Sequence, residues 1–406
     1  MTPVPRFDRA RRPLALLLCL ALAACADAPL PPQATGTYPL FADAAFGPPS
    51  ERMEVADVFQ VSPEMRAYLD TRVAELADQR GEARGLVESL FTDRRVKVDY
   101  EAEFTRTAAQ AFAAHAGNCL SLAIVTGAMA KALGLDVRYQ AVETSEHWER
   151  EGDLLELVGH VNVTVGPQAP KVPMWTPDRD RWTVDFLPDR DLRRLEAEPI
   201  TEARVAAMFM NNRAAESLAH QRVDDAYWWV HRGIEADPTF ASLYNTLGVT
   251  YWRKGLLHQA ETAFRYALSK SSRGAESWNN LARVLRLDGQ VELANQIEQQ
   301  HPQTTAATLV AAVDGGIKAN AAGDYARALG LFRRALRTSA DNHQLHYLMA
   351  VTYLNLGDRE GALQELRQAA DDSVTARQRS IYTSKAELLK STTGGLRLDP
   401  NAVRAN

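Results

Sequence analysis

Cysteine is scarce: among 406 residues there are only three, Cys19, Cys25 and Cys119. Three thiols exclude a disulfide-stapled scaffold and a cysteine-rich zinc module. Charge of one sign is lacking as well, since 46 Lys and Arg stand against 51 Asp and Glu for a net charge of −5. With no basic run interleaved with aromatics, nucleic acid is not an expected partner. No GxxxxGK[ST] or GxGxxG stretch occurs, so neither nucleotide nor any other cofactor is expected. Glu143, Glu146 and His147 lie close in sequence but lack a ligand spacing, and no metal is expected. The length exceeds what one core usually serves, which implies two or three domains.

What is present begins at the N-terminus. Arg6, Arg9, Arg11 and Arg12 precede an apolar run from Leu14 to Ala24, too short to span a bilayer and fit for an export signal. "LAAC", ending at Cys25, resembles the bacterial lipobox, in which the cysteine is lipidated and becomes the first mature residue. That resemblance implies acyl chains on Cys25 holding the protein to a bilayer. Ala26 in place of an Asp retention residue implies the outer membrane, facing the periplasm. Residues 25–50, rich in Pro, Ala and Gly, are expected to be a tether.

Export removes Cys19 and lipid occupies Cys25, leaving Cys119 as the single thiol in an oxidising compartment. Helices are expected in "SPEMRAYLDTRVAELAD", with Ser62 as N-cap and Pro63 at the first helical position, in "ARGLVESLF", and in "TRTAAQAFAAH" up to Gly117. Cys119 then opens a helix apolar on more than one face, stopped by Gly134, which is expected to be central and buried. "DVRYQAVE", "LLELVGHVNVTV" and "RWTVDFLP" have strand composition and alternation, which put His160 and Asp185 on polar strand faces. A thiol at a helix start, an imidazole and a carboxylate form a coherent nucleophile, base and orienter set.

"GNCLSLA…AKALGL", "HVNV" and "WTVDF" together resemble the transglutaminase-like branch of the papain-like cysteine enzymes. The resemblance covers about residues 85–190. It implies an α+β domain with a central helix against an antiparallel sheet, in which Cys119 attacks an amide carbonyl, His160 moves the proton and Asp185 holds the imidazole. The Cys119 backbone N–H would face the developing oxyanion, with Asn118 and His115 as candidates for a further donor. Leu120 and Val161 depart from the aromatic residues many members carry near these positions.

The second half is periodic. Ala226, Ala260, Ala294, Ala328 and Ala362 recur every 34 residues, and Ala214, Gly248, Ala282, Gly316 and Ala350 recur in the same register. Val230, Phe264, Phe332 and Leu366 fill a large apolar position, with Glu298 the exception. The unit "ASLYNTLGVTYWRKGLLHQAETAFRYALSKSS" resembles the tetratricopeptide repeat through Tyr244, Leu247, Gly248, Tyr251, Ala260, Phe264 and Ala267. The resemblance implies an all-α solenoid that binds a peptide or protein, with Tyr244, Asn245, Trp278, Asn279 and Asn280 as candidate contacts.

The expected layout is a signal over 1–24, a lipidated tether over 25–50, the transglutaminase-like domain over 51–200, about five repeats over 201–376, and a capping helix with a disordered tail over 377–406. Two functions follow. One is an envelope lipoprotein whose cysteine site acts on peptide or protein amides, as a peptidase or amidase ahead of a crosslinker, with the repeats holding substrate or partner. The other is a catalytically idle scaffold that recruits proteins through its repeats.

Overall fold

Ser62 caps the helix that follows it: its Oγ accepts from the Met65 backbone N–H at 3.3 Å, and Pro63 fills the first helical position, where no N–H is needed. The structure is a computed structural model. It describes residues 40–91, 99–101, 104–142, 148–151, 154–157, 160–168, 181–184, 197–271, 274–301, 305–337, 339, 341–373 and 376–391. The expected signal and tail, with Cys25 and Asp185, lie outside these residues. Among the described residues, no helix is long and apolar enough to cross a membrane.

The N-terminal module comprises helices α1 (Val55–Val58), α2 (Pro63–Tyr68), α3 (Ala74–Arg80) and α4 (Glu82–Phe91), strand β1 (Asp99–Tyr100), α5 (Ala108–Ala114), β2 (Ala116–Gly117) and α6 (Cys119–Ala132). The strands that follow among the described residues are β3 (Asp136–Val142), β4 (Trp148–Glu151), β5 (Leu154–Leu157), β6 (His160–Gly166), β7 (Trp182–Val184) and β8 (Ala197–Ile200). The expected third helix stops short of Gly117. His115 takes the left-handed conformation (φ 54°) that ends α5, and Ala116 and Gly117 pair with Asp99 and Tyr100 instead. Trp148 opens β4, which pairs antiparallel with β5.

Strands β7, β6, β3 and β8 form one antiparallel sheet in that order. Helix α6 is buried along Cys119–Ala130, as an apolar sequence with no polar face demands. It packs on the sheet through a tight contact: a Cβ on Gly127 would lie 2.0 Å from the Tyr139 hydroxyl. Only glycine lets this strand and helix meet there.

Strand β8 runs directly into the repeats. Thr201 caps α7 (Glu202–Ala219), its Oγ1 accepting from the Arg204 N–H at 3.1 Å. The helices that follow are α8 (Val223–Ala236), α9 (Ala241–Arg253), α10 (Leu257–Lys270), α11 (Ala275–Leu287), α12 (Val291–Gln300), α13 (Thr305–Ala321), α14 (Tyr325–Leu336), α15 (His343–Leu356) and α16 (Arg359–Asp371), with α17 (Ala376–Ser391) after them. They pair successively from α7 with α8 to α15 with α16, and α17 packs on α16. The first helices of successive pairs, α7, α9, α11, α13 and α15, also touch one another, forming a continuous inner row.

The periodic small residues sit where helices meet. Ala226, Ala260, Ala294, Ala328 and Ala362 are fully buried. A Cβ on Gly248 would come within 2.5 Å of the Phe264 ring, and one on Gly316 within 2.4 Å of the Phe332 ring. Glu298, the exception in the large apolar position, points outward and pairs with Arg286 at 2.9 Å.

The structure corrects the tether expectation for residues 40–50. This segment is strapped across α8 and α9 rather than hanging free. The Phe46 ring stacks on Tyr227 with centroids 3.9 Å apart and planes 4° apart. Tyr251 donates to the Leu40 carbonyl at 2.7 Å, Trp228 to the Gly47 carbonyl at 2.6 Å, and Ser50 gives both its N–H and its hydroxyl to the buried Asp225 carboxylate at 2.7 Å. Tyr227 also donates to Asp43. Burial raises the Tyr251 phenol to about 12.

Candidate functional site

Cys119 occupies the first turn of α6 and is the one free cysteine among the described residues. It is buried, with 6% of its surface exposed. Asn118 builds the turn ahead of it: its Oδ1 accepts from the Ser121 N–H at 2.9 Å and the Ser121 hydroxyl at 2.8 Å, and its Nδ2 donates to Thr105 Oγ1 at 2.9 Å. Asn118 is thus an N-cap braced from outside the helix. A Cβ on Gly117 would sit 2.7 Å from that of Ser121, so the turn also needs a glycine. His115 is exposed, its ring 6.4 Å from that of Phe112.

The sheet places His160, the one other member of the expected set that lies among the described residues. The hydroxyls of Thr164 and Thr183 meet at 2.8 Å across β6 and β7, so these strands do share the polar face expected for them. Tyr139, which touches α6, pairs with Val163, so α6 covers the face carrying Tyr139, Val161, Val163 and Val165. Alternation turns His160 and Asn162 to the opposite face, beside Val142 and Gln140. His160 is buried there, with 4% exposed. The structure therefore makes α6 and β6 neighbours while assigning His160 to the face that α6 does not cover.

On the repeats, the aromatic candidates belong to the core. Tyr244 is buried and donates to the Pro238 carbonyl at 2.9 Å, closing its own turn, and Trp278 is buried against His301 with ring centroids 3.6 Å apart. The amides lie differently. Asn245, Asn279 and Asn280 are half-buried on the inner row, and Asn245 Oδ1 accepts from Ser277 Oγ and Asn280 Nδ2, each at 3.1 Å. Sequence reasoning missed Asn211, Asn212 and Thr246 in the same row. Thr246 donates to Asn211 Oδ1 at 2.7 Å, and Asn212 Nδ2 donates to Thr105 Oγ1 at 3.3 Å. The signal was available, because Asn211, Asn245 and Asn279 are 34 residues apart, as are Asn212, Thr246 and Asn280.

Module and solenoid are joined at this point. The Thr105 N–H donates to Glu216 Oε1 at 2.7 Å, and Arg213 bridges Glu216 at 2.6 Å to Glu51 at 2.9 Å. Burial raises the Glu216 carboxyl above its usual range, against the pull of Arg213 and Thr105. Elsewhere, His258, Glu261 and Asp288 bring one ligand atom each within 4.8 Å of one another. The carboxylates there already have protein partners: Arg265 lies 2.8 Å from Glu261, and the Gln290 amide donates to Asp288 at 2.8 Å.

Two family models described as tetratricopeptide repeat match residues 245–305 and 319–383. The C-terminal half therefore carries tetratricopeptide repeats. Similar solved structures include YrrB, titled a TPR protein with an unusual peptide-binding site, at 22% identity over 44% of this chain and 92% of that one, with a TM-score of 0.24. PilF of Pseudomonas aeruginosa is 18% identical over 47% of this chain and 90% of its own, with a TM-score of 0.28. A thermophilic TPR protein of Thermus thermophilus is 19% identical over 45% of this chain and 99% of its own, with a TM-score of 0.29. No curated protein matches the chain.

Proposed function

We propose that this chain is a protein-binding scaffold of the bacterial cell envelope, anchored by lipid on Cys25 at the outer membrane and recruiting a peptide or protein partner through its repeats. The carrying observation is the continuous inner row of repeat helices with half-exposed amides along it. Stacked repeats of this kind present an extended surface and contain no chemistry of their own. The lipobox-like "LAAC" supports the anchor. Replacing Cys25 with Ala is expected to move the protein from the membrane to the soluble envelope fraction; continued sedimentation with membranes refutes the anchor. For recruitment, the detergent-solubilised full chain is expected to select saturably binding sequences from a random 12-residue peptide library, and an empty selection refutes it.

The module is proposed as transglutaminase-like on the order Cys119, His160, Asp185 and on its helix set against an antiparallel sheet. A catalytic reading, a peptidase or amidase with Cys119 as nucleophile, His160 as base and Asp185 as orienter, is favoured by the position of Cys119 in the first turn of a capped, buried helix. Burial of the thiol and the turning of His160 to the other face favour the idle reading. Labelling with an electrophile at about pH 6 separates the two. Faster reaction of Cys119 than of a free thiol, lost in His160→Ala, supports the catalytic reading; reaction at or below the free-thiol rate in both proteins refutes it.

A further inference from the structure

The turns that join the two helices of each pair lie along one edge of the solenoid. Helix α9 turns into α10 at Gly255, α11 into α12 at Gly289, α13 into α14 at Gly323, and α15 into α16 at Gly357. Neighbouring units touch along this edge: His258 of α10 lies 3.6 Å from Asp288 of the next turn, and the Asn355 amide at the end of α15 donates to Asn320 Oδ1 at the end of α13 at 3.2 Å. The last helix returns to the same edge, because Arg359, the first residue of α16, donates to the Leu389 carbonyl near the end of α17.

A solvated turn is ordinarily polar. Here it is not. Seven large apolar side chains are exposed among the described residues, and four of them, Leu287, Val291, Leu356 and Leu388, stand on this one edge. Leu287 and Val291 flank the Gly289 turn, Leu356 directly precedes Gly357, and Leu388 adjoins the carbonyl that Arg359 holds. Each is 40–56% exposed.

The strap indicates what lies against them. Tyr251, in the last turn of α9, holds the Leu40 carbonyl at 2.7 Å, and Lys254, beside Gly255, sits 5.0 Å from the centre of the Phe46 ring and pairs with Asp224 at 2.6 Å. The chain leading back to Cys25, fifteen positions before Leu40, therefore leaves the body beside the first of these turns. A protein partner draws its affinity from a packed, desolvated cluster of side chains. These four are instead spaced out along the tips of an edge, which suits contact with a plane.

We propose that this edge rests on a bilayer surface, with Leu287, Val291, Leu356 and Leu388 set about 5–10 Å into the boundary between headgroups and acyl chains. The solenoid is then held edge-on instead of swinging from its anchor. Its helices run from this edge to the opposite one, so both of its faces remain open to partners. The inference rests on the lipid-anchor reading above and adds a second membrane contact and the orientation it imposes.

The test uses the full chain, purified in detergent and reconstituted into phosphatidylcholine vesicles, with a nitroxide on one introduced cysteine at a time: Leu287→Cys, Leu356→Cys, Leu388→Cys, and, at the opposite edge, Lys270→Cys. The chain without an introduced cysteine supplies the background from Cys119. The ratio of oxygen to aqueous nickel-chelate accessibility is expected to be at least about fivefold higher at each of the three leucine positions than at Lys270→Cys. Raising the salt from about 50 to 500 mM is expected to change that ratio less than about twofold, because the contact is apolar. Circular dichroism checks the fold of each variant, and a label that unfolds the chain at one position leaves the other two to decide. Mass spectrometry of the mature N-terminal peptide reads acylation separately. An acylated chain whose edge probes match Lys270→Cys overturns the edge contact and leaves the anchor standing. A chain without acyl groups refutes the anchor; if it still floats with the vesicles and its edge probes face lipid, the edge contact stands by itself, and if it does not, both fall.

Discussion

The solenoid and the α/β module solve the same problem, burying apolar surface, in opposite ways. In the solenoid one local rule is repeated: a small residue meets a large one sixteen positions later, as Gly248 meets Phe264 and Gly316 meets Phe332. In the module each close contact is unique and distant in meaning, as where Gly127 of α6 meets Tyr139 of β3. Repetition makes the first kind of contact visible as a period and tolerant of single lapses such as Glu298. The second kind leaves no period and has no spare copy.

The strap over 40–51 is where the solenoid stops being local, and it provides the largest expected effect. It is bonded to residues about two hundred positions away, Tyr227 and Tyr251 among them. Phe46→Ala removes a buried ring stacked on Tyr227 and is expected to cost about 3–5 kcal/mol. The urea midpoint reports this, and a loss below about 1 kcal/mol would mean the repeats stand without the strap.

Within the repeats, glycines separate a filled position from an empty one. Gly248→Ala and Gly316→Ala push a methyl into a buried phenylalanine ring and are each expected to cost about 1–3 kcal/mol. Gly330 lies in α14 with nothing within 4 Å of a built Cβ, so Gly330→Ala is expected to stabilise by about 0.4–1 kcal/mol. Equal effects at all three sites would show that register, not packing, governs the glycines.

In the module the tight contact carries a cost of its own. The Tyr139 hydroxyl is buried without a hydrogen-bond partner, and burial pushes its ionisation far above the ordinary phenol range. Tyr139→Phe removes an unsatisfied group and is expected to stabilise by about 1 kcal/mol. It should also recover part of the loss in Gly127→Ala, since the hydroxyl is the atom nearest the new methyl. Additive effects in the double variant would place the strain elsewhere.

Legibility followed the same division. The repeats, their small residues and the Glu298 lapse were visible because the physics recurs every 34 residues. Even there one signal passed unread: Gly255, Gly289, Gly323 and Gly357 share the period and all adopt a positive φ of 80–82° at the turn, with Gln221 (φ 61°) in the first unit. The Cys119 helix and the strand over 136–142 were visible through apolar content and alternation, but "LLELVGHVNVTV", expected as one strand, divides into β5 paired with β4 and β6 in the larger sheet. The strap was not, because its carbonyls and amides bond to side chains far along the chain, which no local pattern encodes. The candidate site was read as an order of residues, Cys119, His160 and Asp185, of which the described residues include the first two. The face of the sheet that α6 covers depends on the Gly127–Tyr139 contact, which order alone does not fix.

The smallest expected effect sits where the two regions join. Glu216 is buried between Thr105 of the module and Arg213 of the solenoid, with its carboxyl raised above the usual range by that burial. A group whose ionisation is raised by folding binds its proton more tightly in the folded state. Its stabilising contribution is therefore complete below the ordinary carboxyl range and is lost as pH rises through the raised value. The full chain should lose stability relative to Glu216→Gln as pH increases from about 4.5 toward neutrality, because glutamine keeps the Thr105 bond and has no proton to release. Urea midpoints across that range give the difference in slope. Parallel curves would mean that Arg213 compensates the carboxylate fully, and that the seam between periodic and unique packing is electrostatically neutral.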